Sequence, residues 1–402
     1  MDSTIYRRTQ SGEISGTPEL PSPPKERNAA PVFSVSTFRA GDIGDTKIQP
    51  PFVLSSQSED RSNLKVKLLS LKLPWHKTSK IQKTKRFPRP VRYVRNVVLA
   101  YLGFYVILGL HAASSLTKVP ASPSVVIADT AGTNWLLAGS DSREGLTEAE
   151  QKELRTGKDE GTQRTDTLMI IHITDEGIPT LVSLPRDSYV IIPAHIDIDG
   201  MQVTDRRNKI NIAYSKGGAP LLIETVERNT GLRIDHFMEI GFKGIRDITN
   251  AVGGVNMCIP ADVTDENSGL NLKAGCQELD GRNALAYVRM RYADPRGDLG
   301  RVERQQQFLS SVMKKAATPA VLINPIRMWK LVNASTGSVN VGQGDTIRDM
   351  ANLAIAMRSL SNGKGTLTTV PVLTAEKTTA AGTSVIWDED AARELFVSLG
   401  AN

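Results

Sequence analysis

Apolar positions along the chain fall into three regimes. Up to residue 60 they are scattered among Ser, Pro, Gly and Thr. Such a stretch buries too little surface to offset the entropy of ordering, so residues 1–60 are read as a disordered tail. Residues 97–116, VVLAYLGFYVILGLHAASSL, then run without a formal charge. As a helix these 20 positions reach about 30 Å, the thickness of a bilayer's hydrocarbon. Beyond residue 130 the pattern breaks into short elements. NWLLAGS (134–140), TLMIIHI (167–173), PTLVSLP (179–185) and HFMEIGF (236–242) read as strands. Helical spacing marks 219–230 (Ala219, Leu222, Ile223, Val226) and 301–317 (Phe308, Leu309, Val312, Met313), with further helices over 325–334, 345–361 and 388–399. Strands interleaved with helices predict a three-layer α-β-α sandwich with a mixed central sheet over residues 130–402, following a linker at 117–129.

The charge distribution changes the picture. The chain of 402 residues has a formal charge of +6, which suggests a nucleic-acid partner until the charges are located. Twelve Lys and Arg, with no Asp or Glu, lie between Arg61 and Arg95. Without them the remainder is −6, so the basicity belongs to a juxtamembrane segment, 61–96, and a nucleic-acid partner is not expected. The same asymmetry argues for a membrane span at 97–116 rather than a buried core helix or a cleaved signal peptide. Arg86, Arg89, Arg92 and Arg95 precede it and only Lys118 follows closely. The positive-inside rule then puts the N-terminus in the cytoplasm and the C-terminal domain outside, with membrane lipid as a partner of the basic segment.

Outside the membrane, Cys258 and Cys276 suit a disulfide, with two buried thiols as the alternative. Two cysteines without a nearby His pair make at most half a zinc site. The sequence has no GxxxxGK[ST], HExxH or GxSxG, and five histidines offer little for imidazole chemistry. What recurs is Arg and Asp at strand ends: Asp141 and Arg143 after the first strand, Arg164 and Asp166 before the second, Arg186 and Asp187 after the third, then Lys209. The run AYVRMRYADPRGDLGRVERQQQFL adds Arg289, Arg291, Arg296, Asp298, Arg301, Arg304 and Gln305. Singly, such doublets are ordinary surface ion pairs. Arg289 and Arg291, two apart on a segment expected to be extended, would share a face, and side-by-side guanidiniums call for an anion between them. Arg301 and Gln305 share a helix face. Guanidinium forks match phosphate oxygens, and Asp141 with Asp166 could hold Mg²⁺ against that phosphate.

In this order, after a single apolar helix, the segments LLAGSDSR, QRTDTLMII, SLPRDSYV, KINIAY, AVGGV and YVRMRYADPRGDLGRVERQQQFL resemble the LytR-CpsA-Psr family. The match is strong over about 130–320. The long tail and the two cysteines resemble the actinobacterial branch. The resemblance implies a phosphotransferase that moves a glycopolymer phosphate from a polyprenyl diphosphate carrier onto peptidoglycan and releases polyprenyl phosphate. It implies metal ligands at Asp141 and Asp166 for Mg²⁺, with Mn²⁺ as the alternative ion. It implies diphosphate binding by Arg164, Arg186, Lys209, Arg289, Arg291 and Gln305, and catalysis by Asp298 and Arg301. Arabinogalactan is the polymer the actinobacterial likeness suggests. Two readings stay open beside it: a lipid pyrophosphatase and a non-catalytic scaffold that binds the lipid carrier. The insertion between Asp141 and Asp166 is expected to be a lid or an acceptor-facing loop, and it leaves open how near those two carboxylates stand.

Overall fold

A computed structural model of the chain describes residues 89–157, 164–197, 200–266, 268–290 and 297–401. The expected tail and residues 61–88 of the basic segment lie outside them. Ten helices occur among the described residues: α1 Arg89–Ser115, α2 Glu148–Glu153, α3 Asn211–Thr230, α4 Phe242–Val252, α5 Gly281–Arg289, α6 Gly297–Ala316, α7 Pro319–Leu322, α8 Pro325–Thr336, α9 Ile347–Ser361 and α10 Glu389–Ser398. Seven strands build the central sheet, numbered here among themselves: β1 Thr117–Val119, β2 Thr133–Ser140, β3 Thr165–Ile173, β4 Pro179–Leu184, β5 His236–Ile240, β6 Val339–Gly342 and β7 Thr366–Thr369. Their spatial order is β1-β6-β5-β2-β3-β4-β7. The pairs β1/β6, β5/β2 and β4/β7 are parallel and the other three antiparallel, so the sheet is mixed, as expected.

Both faces of the sheet are covered because its strands alternate with two apolar sets. Leu136, Ala138, Leu168, Ile170, Val182 and Leu184 pack under Leu222, Ile223 and Val226 of α3 and Phe396 of α10. Trp135, Met169, Ile171 and Leu181 meet Leu353, Met357 and Leu360 of α9, with Leu309 and Met313 of α6 beside them. A third core lies off the sheet, where the hairpin Val255–Ile259/Gly275–Leu279 packs on α4, α5 and α6. That hairpin puts Cys258 opposite Cys276, and the two form the expected disulfide. Gly253 and Gly254, with φ of 84° and 87°, end α4 and turn the chain into this hairpin, which accounts for the AVGGV motif.

Several expectations need correction. The supposed linker begins with β1, because Thr117–Val119 has an open parallel edge on β6 to join. The strand expected over 236–242 stops at Ile240, and Gly241 caps α4 there. The segment around Arg289 is not extended. Arg289 ends α5, whose Ala284–Val288 are all buried, and a run apolar on every side favours a buried helix over a strand. Helix α3 starts earlier than 219 because it is two helical pieces joined at Gly218, where φ is 64° and a Cβ would be strained.

Register fixes which end of the sheet matters. Gly139 pairs with Ile240, Ile240 with Val339, and Asn340 with Thr117. The C-terminal end of β2 and the first residue of β1 therefore lie at the same edge. Only Leu116 separates β1 from α1, so the apolar helix runs into the sheet at the edge that carries Asp141.

Candidate active site at the sheet edge

Antiparallel pairing of β2 with β3 resolves the distance that the insertion left open. The Asp141 backbone N–H donates to the Arg164 carbonyl at 2.9 Å, and the Arg164 N–H donates to Asp141 Oδ1 at 2.8 Å. The chain between them leaves the edge and returns to it. Burial pushes the Asp141 carboxyl pKa up, the Arg164 hydrogen bond opposes this, and the charge of Asp166 adds to the rise. Two hard oxygen donors thus stand within electrostatic reach. Among the described residues no group of three or more His, Cys, Asp or Glu could hold a metal. A pair of carboxylates still suits Mg²⁺, which keeps several waters and takes its remaining oxygens from a phosphate.

The next strand end supplies the cations. β4 finishes at Leu184 and the chain turns through Pro185, Arg186 and Asp187. Arg186 Nη1 pairs with Asp166 Oδ1, and its Nε lies 3.4 Å from Asp187 Oδ2. Lys209 ends the hairpin Tyr189–Ile192/Arg206–Lys209, and its Nζ is 3.0 Å from Asp187 Oδ1. One line of alternating charge therefore runs Asp166, Arg186, Asp187, Lys209 across the mouth of the sheet. The candidate residues Asp166, Arg186 and Lys209 all lie on it.

A second cationic pair comes from the insertion and α5. Arg289 donates to the carbonyls of Leu154 at 3.2 Å and Arg155 at 3.3 Å. Arg143 donates to the Thr156 carbonyl at 2.7 and 3.0 Å and to that of Asp141 at 3.2 Å. Both guanidiniums lie over the Phe242 ring, at 4.5 and 5.9 Å. Neutral carbonyls and an aromatic face hold them in place without cancelling their charge. Burial and the charge of Arg143 pull the Arg289 pKa down, against the pull of Asp166, Asp265 and Asp141. Two like charges held together define a place for an anion. The partner of Arg289 among the described residues is Arg143, since Arg291 lies outside them. Arg143 was visible as part of a doublet. Phe242 carried no signal beyond an aromatic after a glycine.

Over its described residues, 144–157, the insertion is packed as a brace. Thr147 and Glu150 form a capping box on α2, and Glu150 Oε1 pairs with Arg246 Nη1 at 2.6 Å. The Thr147 and Arg246 hydrogen bonds hold the Glu150 carboxyl down to about 2. Leu146 and Leu154 join Phe242 and Leu285 in a small core. Residues 158–163 lie outside the described part.

Helix α6 closes the site on the α9 side. Gln306 Nε2 donates to Ser183 Oγ at 2.7 Å and to the Thr368 carbonyl at 3.3 Å, which docks α6 on β4 and β7 near the same edge. Arg301 is buried, 3% exposed, and Gln305 is half-buried one turn on. Arg304 is structural: its Nη2 donates to the Met290 carbonyl at 2.6 Å and it lies over Tyr287. Asp298 belongs to α6, but its side chain lies outside the described part. Behind the edge, Glu239 is buried beside Ala138, accepts from Asn340 at 3.1 Å, and bonds the Tyr214 hydroxyl. Burial and the Glu239 charge push the Tyr214 pKa up. The motif reading did not single out either residue.

Known proteins match this chain along most of its length. Similar sequences include the "Probable cell wall biosynthesis protein LcpB" of Corynebacterium glutamicum, 40% identical over 89% of this chain and 78% of that protein. The cell wall biosynthesis protein LcpA of the same organism is 34% identical over 63% of this chain and 52% of its own length. The polyisoprenyl-teichoic acid–peptidoglycan teichoic acid transferase TagU of Enterococcus faecalis is 33% identical over 49% and 60%. The chain thus spans little more than half of LcpA and TagU. Among solved structures, the LytR-Csp2A-Psr enzyme from Actinomyces oris superposes with a TM-score of 0.55 at 20% identity, covering 71% of this chain and 96% of that one. At that identity the likeness is one of fold. The LytR_cpsA_psr family matches residues 110–397, and the chain belongs to that family.

Proposed function

We propose that the protein is a membrane-anchored phosphotransferase. It moves a glycopolymer phosphate from a polyprenyl diphosphate onto a peptidoglycan hydroxyl, and arabinogalactan is the polymer that the actinobacterial likeness favours. The supporting observation is the charged edge itself: Asp141 and Asp166 beside Arg186, Lys209, Arg289 and Arg143, at the end of the sheet where α1 joins it. A diphosphate on a lipid needs both a polyanion site and a position close to the bilayer. The names of the relatives, cell wall biosynthesis proteins and teichoic acid transferases, point to the same class of reaction. The N-terminus is cytoplasmic and the folded domain lies outside, on the evidence of the basic flank before α1.

In this reading the acceptor oxygen attacks the phosphorus that carries the glycan. The bond from that phosphorus to the bridging oxygen breaks, and polyprenyl phosphate leaves. Phosphoryl transfer is largely positioning and charge stabilisation, and the chain's groups are suited to that. Arg186 and Lys209 are fixed by Asp187 and face the leaving phosphate. Arg289 and Arg143 hold the second phosphate with geometry set by carbonyls, Arg164 extends the same cationic rim, and the family likeness adds Arg291 to the diphosphate-binding set. Arg301, with Gln305 one turn on, contacts the transferred phosphate. Asp298, three residues before Arg301, takes the acceptor proton or orients Arg301. Asp141 and Asp166 would hold Mg²⁺ or Mn²⁺, which when bound neutralises charge on the diphosphate.

The test supplies full-length protein in detergent with a short-glycan polyprenyl diphosphate, peptidoglycan fragments and Mg²⁺. The expected product is glycan joined to the acceptor through one phosphate, lost in Arg186→Ala and Arg301→Ala with folding intact. Phosphate released to water with acceptor in excess would instead support the pyrophosphatase reading. Lipid binding without either product would support the scaffold.

A further inference from the structure

Among the described residues Arg155 is the only one other than glycine with a positive φ, at 47°. It follows Leu154, the C-terminal cap of α2. The hydrogen bonds there are those of a Schellman turn. The Arg155 N–H donates to the Lys152 carbonyl at 3.3 Å, and the Thr156 N–H donates to the Gln151 carbonyl at 3.0 Å. Glycine is the residue this position favours, because a Cβ crowds the backbone in the left-handed region. An arginine there costs stability unless its side chain contributes elsewhere.

The side chain does contribute. Arg155 Nη1 donates to the Glu266 carbonyl. On the way it crosses Gly269 so closely that a Cβ on that glycine would lie 2.9 Å from Arg155 Nε. Glu266 and Gly269 belong to the turn of the hairpin Val263–Asp265/Leu270–Leu272. Val263, Leu270 and Leu272 pack in the same core as Ala284, Ala286 and Tyr287 of α5. Arg155 therefore ties the insertion to the core that seats the helix carrying Arg289.

The backbone around Arg155 gives this turn its use. The Leu154 carbonyl accepts from Arg289 Nη1 at 3.2 Å, and the Arg155 carbonyl accepts from Arg289 Nη2 at 3.3 Å. The next carbonyl, of Thr156, takes Nη2 and Nε of Arg143. Peptide units are planar, and the two that hold Arg289 meet at the Arg155 Cα. The φ and ψ of Arg155 thus set the angle between the carbonyls that grip the two ends of one guanidinium. A right-handed or extended Arg155 would turn one of them away. Leu154 and Thr156 are 4% exposed, and Leu154 packs with Phe242 and Leu285, so the turn is held on both sides. A carboxylate in this place would orient Arg289 equally well and cancel its charge. Neutral carbonyls orient it and leave the charge for a ligand.

We propose that Arg155 is a positioning residue: its left-handed conformation aims two consecutive carbonyls at Arg289, so that the guanidinium is set for a diphosphate before the lipid arrives. The proposal rests on reading the sheet edge as a diphosphate site. It goes further in assigning the orientation of Arg289 to the conformation of one residue in the insertion.

The test measures farnesyl diphosphate binding to full-length protein in detergent with Mg²⁺, by calorimetry. Arg155 is exposed, so its replacement opens no cavity. Asn and Gly tolerate the left-handed region, and a β-branched residue does not. Arg155→Asn and Arg155→Gly should bind within about threefold of wild type, and Arg155→Val about tenfold more weakly. Arg155→Ala should fall between them, and it carries the comparison if Arg155→Val folds poorly. Arg289→Lys keeps a charge but has no fork to orient. In that background Arg155→Val should change the affinity by less than about twofold, a coupling that a general loss of stability would not produce. Wild-type affinity in both Arg155→Val and Arg155→Ala would overturn the proposal and leave the diphosphate reading standing. So would a tenfold loss that persists beside Arg289→Lys. No binding by wild type would remove the diphosphate site, and the proposal with it.

Discussion

The two ends of the central sheet handle buried polarity in opposite ways. At the far end each polar group has a close partner. Asp345, 3% exposed, accepts from the backbone N–H groups of Gly342 and Phe237 at 2.8 and 3.2 Å and from His236 Nδ1 at 2.6 Å. His236 stacks on Trp135. His172 pairs with Asn134 at 2.9 Å, and Asn134 donates to Thr130. At the near end Arg143 and Arg289 rest on carbonyls and a ring, while Asp141 and Asp166 repel each other. The far end spends its polar groups on stability; the near end leaves charge over. Buried groups with satisfied geometry hold a fold together, whereas like charges gathered at one edge mark where a ligand belongs.

That contrast can be broken from either side. The largest effect should come from Asp141 and Asp166, the carboxylates proposed to hold a metal. Chelation with EDTA should abolish transfer and leave the melting temperature nearly unchanged, and Mg²⁺ or Mn²⁺ should restore turnover. Arg289→Ala should lower turnover by about 10²–10³-fold, the range for losing one group that stabilises developing charge, again with little change in melting. At the far end the order reverses. Asp345→Ala strands two backbone donors and should cost roughly 3 kcal/mol of stability, measured by urea unfolding, with activity per folded molecule retained. Replacing Cys258 and Cys276 together by Ser should cost about 3 kcal/mol in the third core and leave the kinetics alone.

The smallest effect is a pH dependence. Burial disfavours the His236 imidazolium, but the hydrogen bond and charge of Asp345, with Asp349 and Asp235, outweigh it and raise the pKa. A raised value means that the contribution is complete below the ordinary histidine pKa of about 6.5. It is lost as the pH climbs through the folded value. Wild type should therefore exceed His236→Gln in stability by on the order of 1 kcal/mol at pH 6, and the gap should narrow by pH 9 in paired melting curves.

What the sequence made legible follows the same division. Strands β2, β3 and β4 could be read because continuous apolar runs end in Gly, Pro, Asp or Arg, and those endings placed Asp141, Asp166 and Arg186 together. Lys209 followed from the same line of motifs. Strands β1, β6 and β7 are three or four residues long, with sequences such as VNVG and TLTT that carry no period to detect. They pair because neighbouring strands leave edges open, a tertiary cause. Arg289 was placed in the site for a reason that failed locally: the spacing with Arg291 suggested a strand, while burial on every side of α5 made a helix. Its companion over Phe242 comes from 146 positions earlier (289 minus 143), which no local window could join.

The most direct test of the central claim follows one phosphorus atom. A polyprenyl diphosphate carrying a short glycan, labelled at the phosphorus next to the glycan, is given to full-length protein with Mg²⁺ and peptidoglycan fragments. The account predicts that the label appears in the acceptor with the glycan attached, at a rate that falls in Arg289→Ala. Label recovered as soluble glycan phosphate with acceptor in excess, or remaining on the lipid, would contradict it.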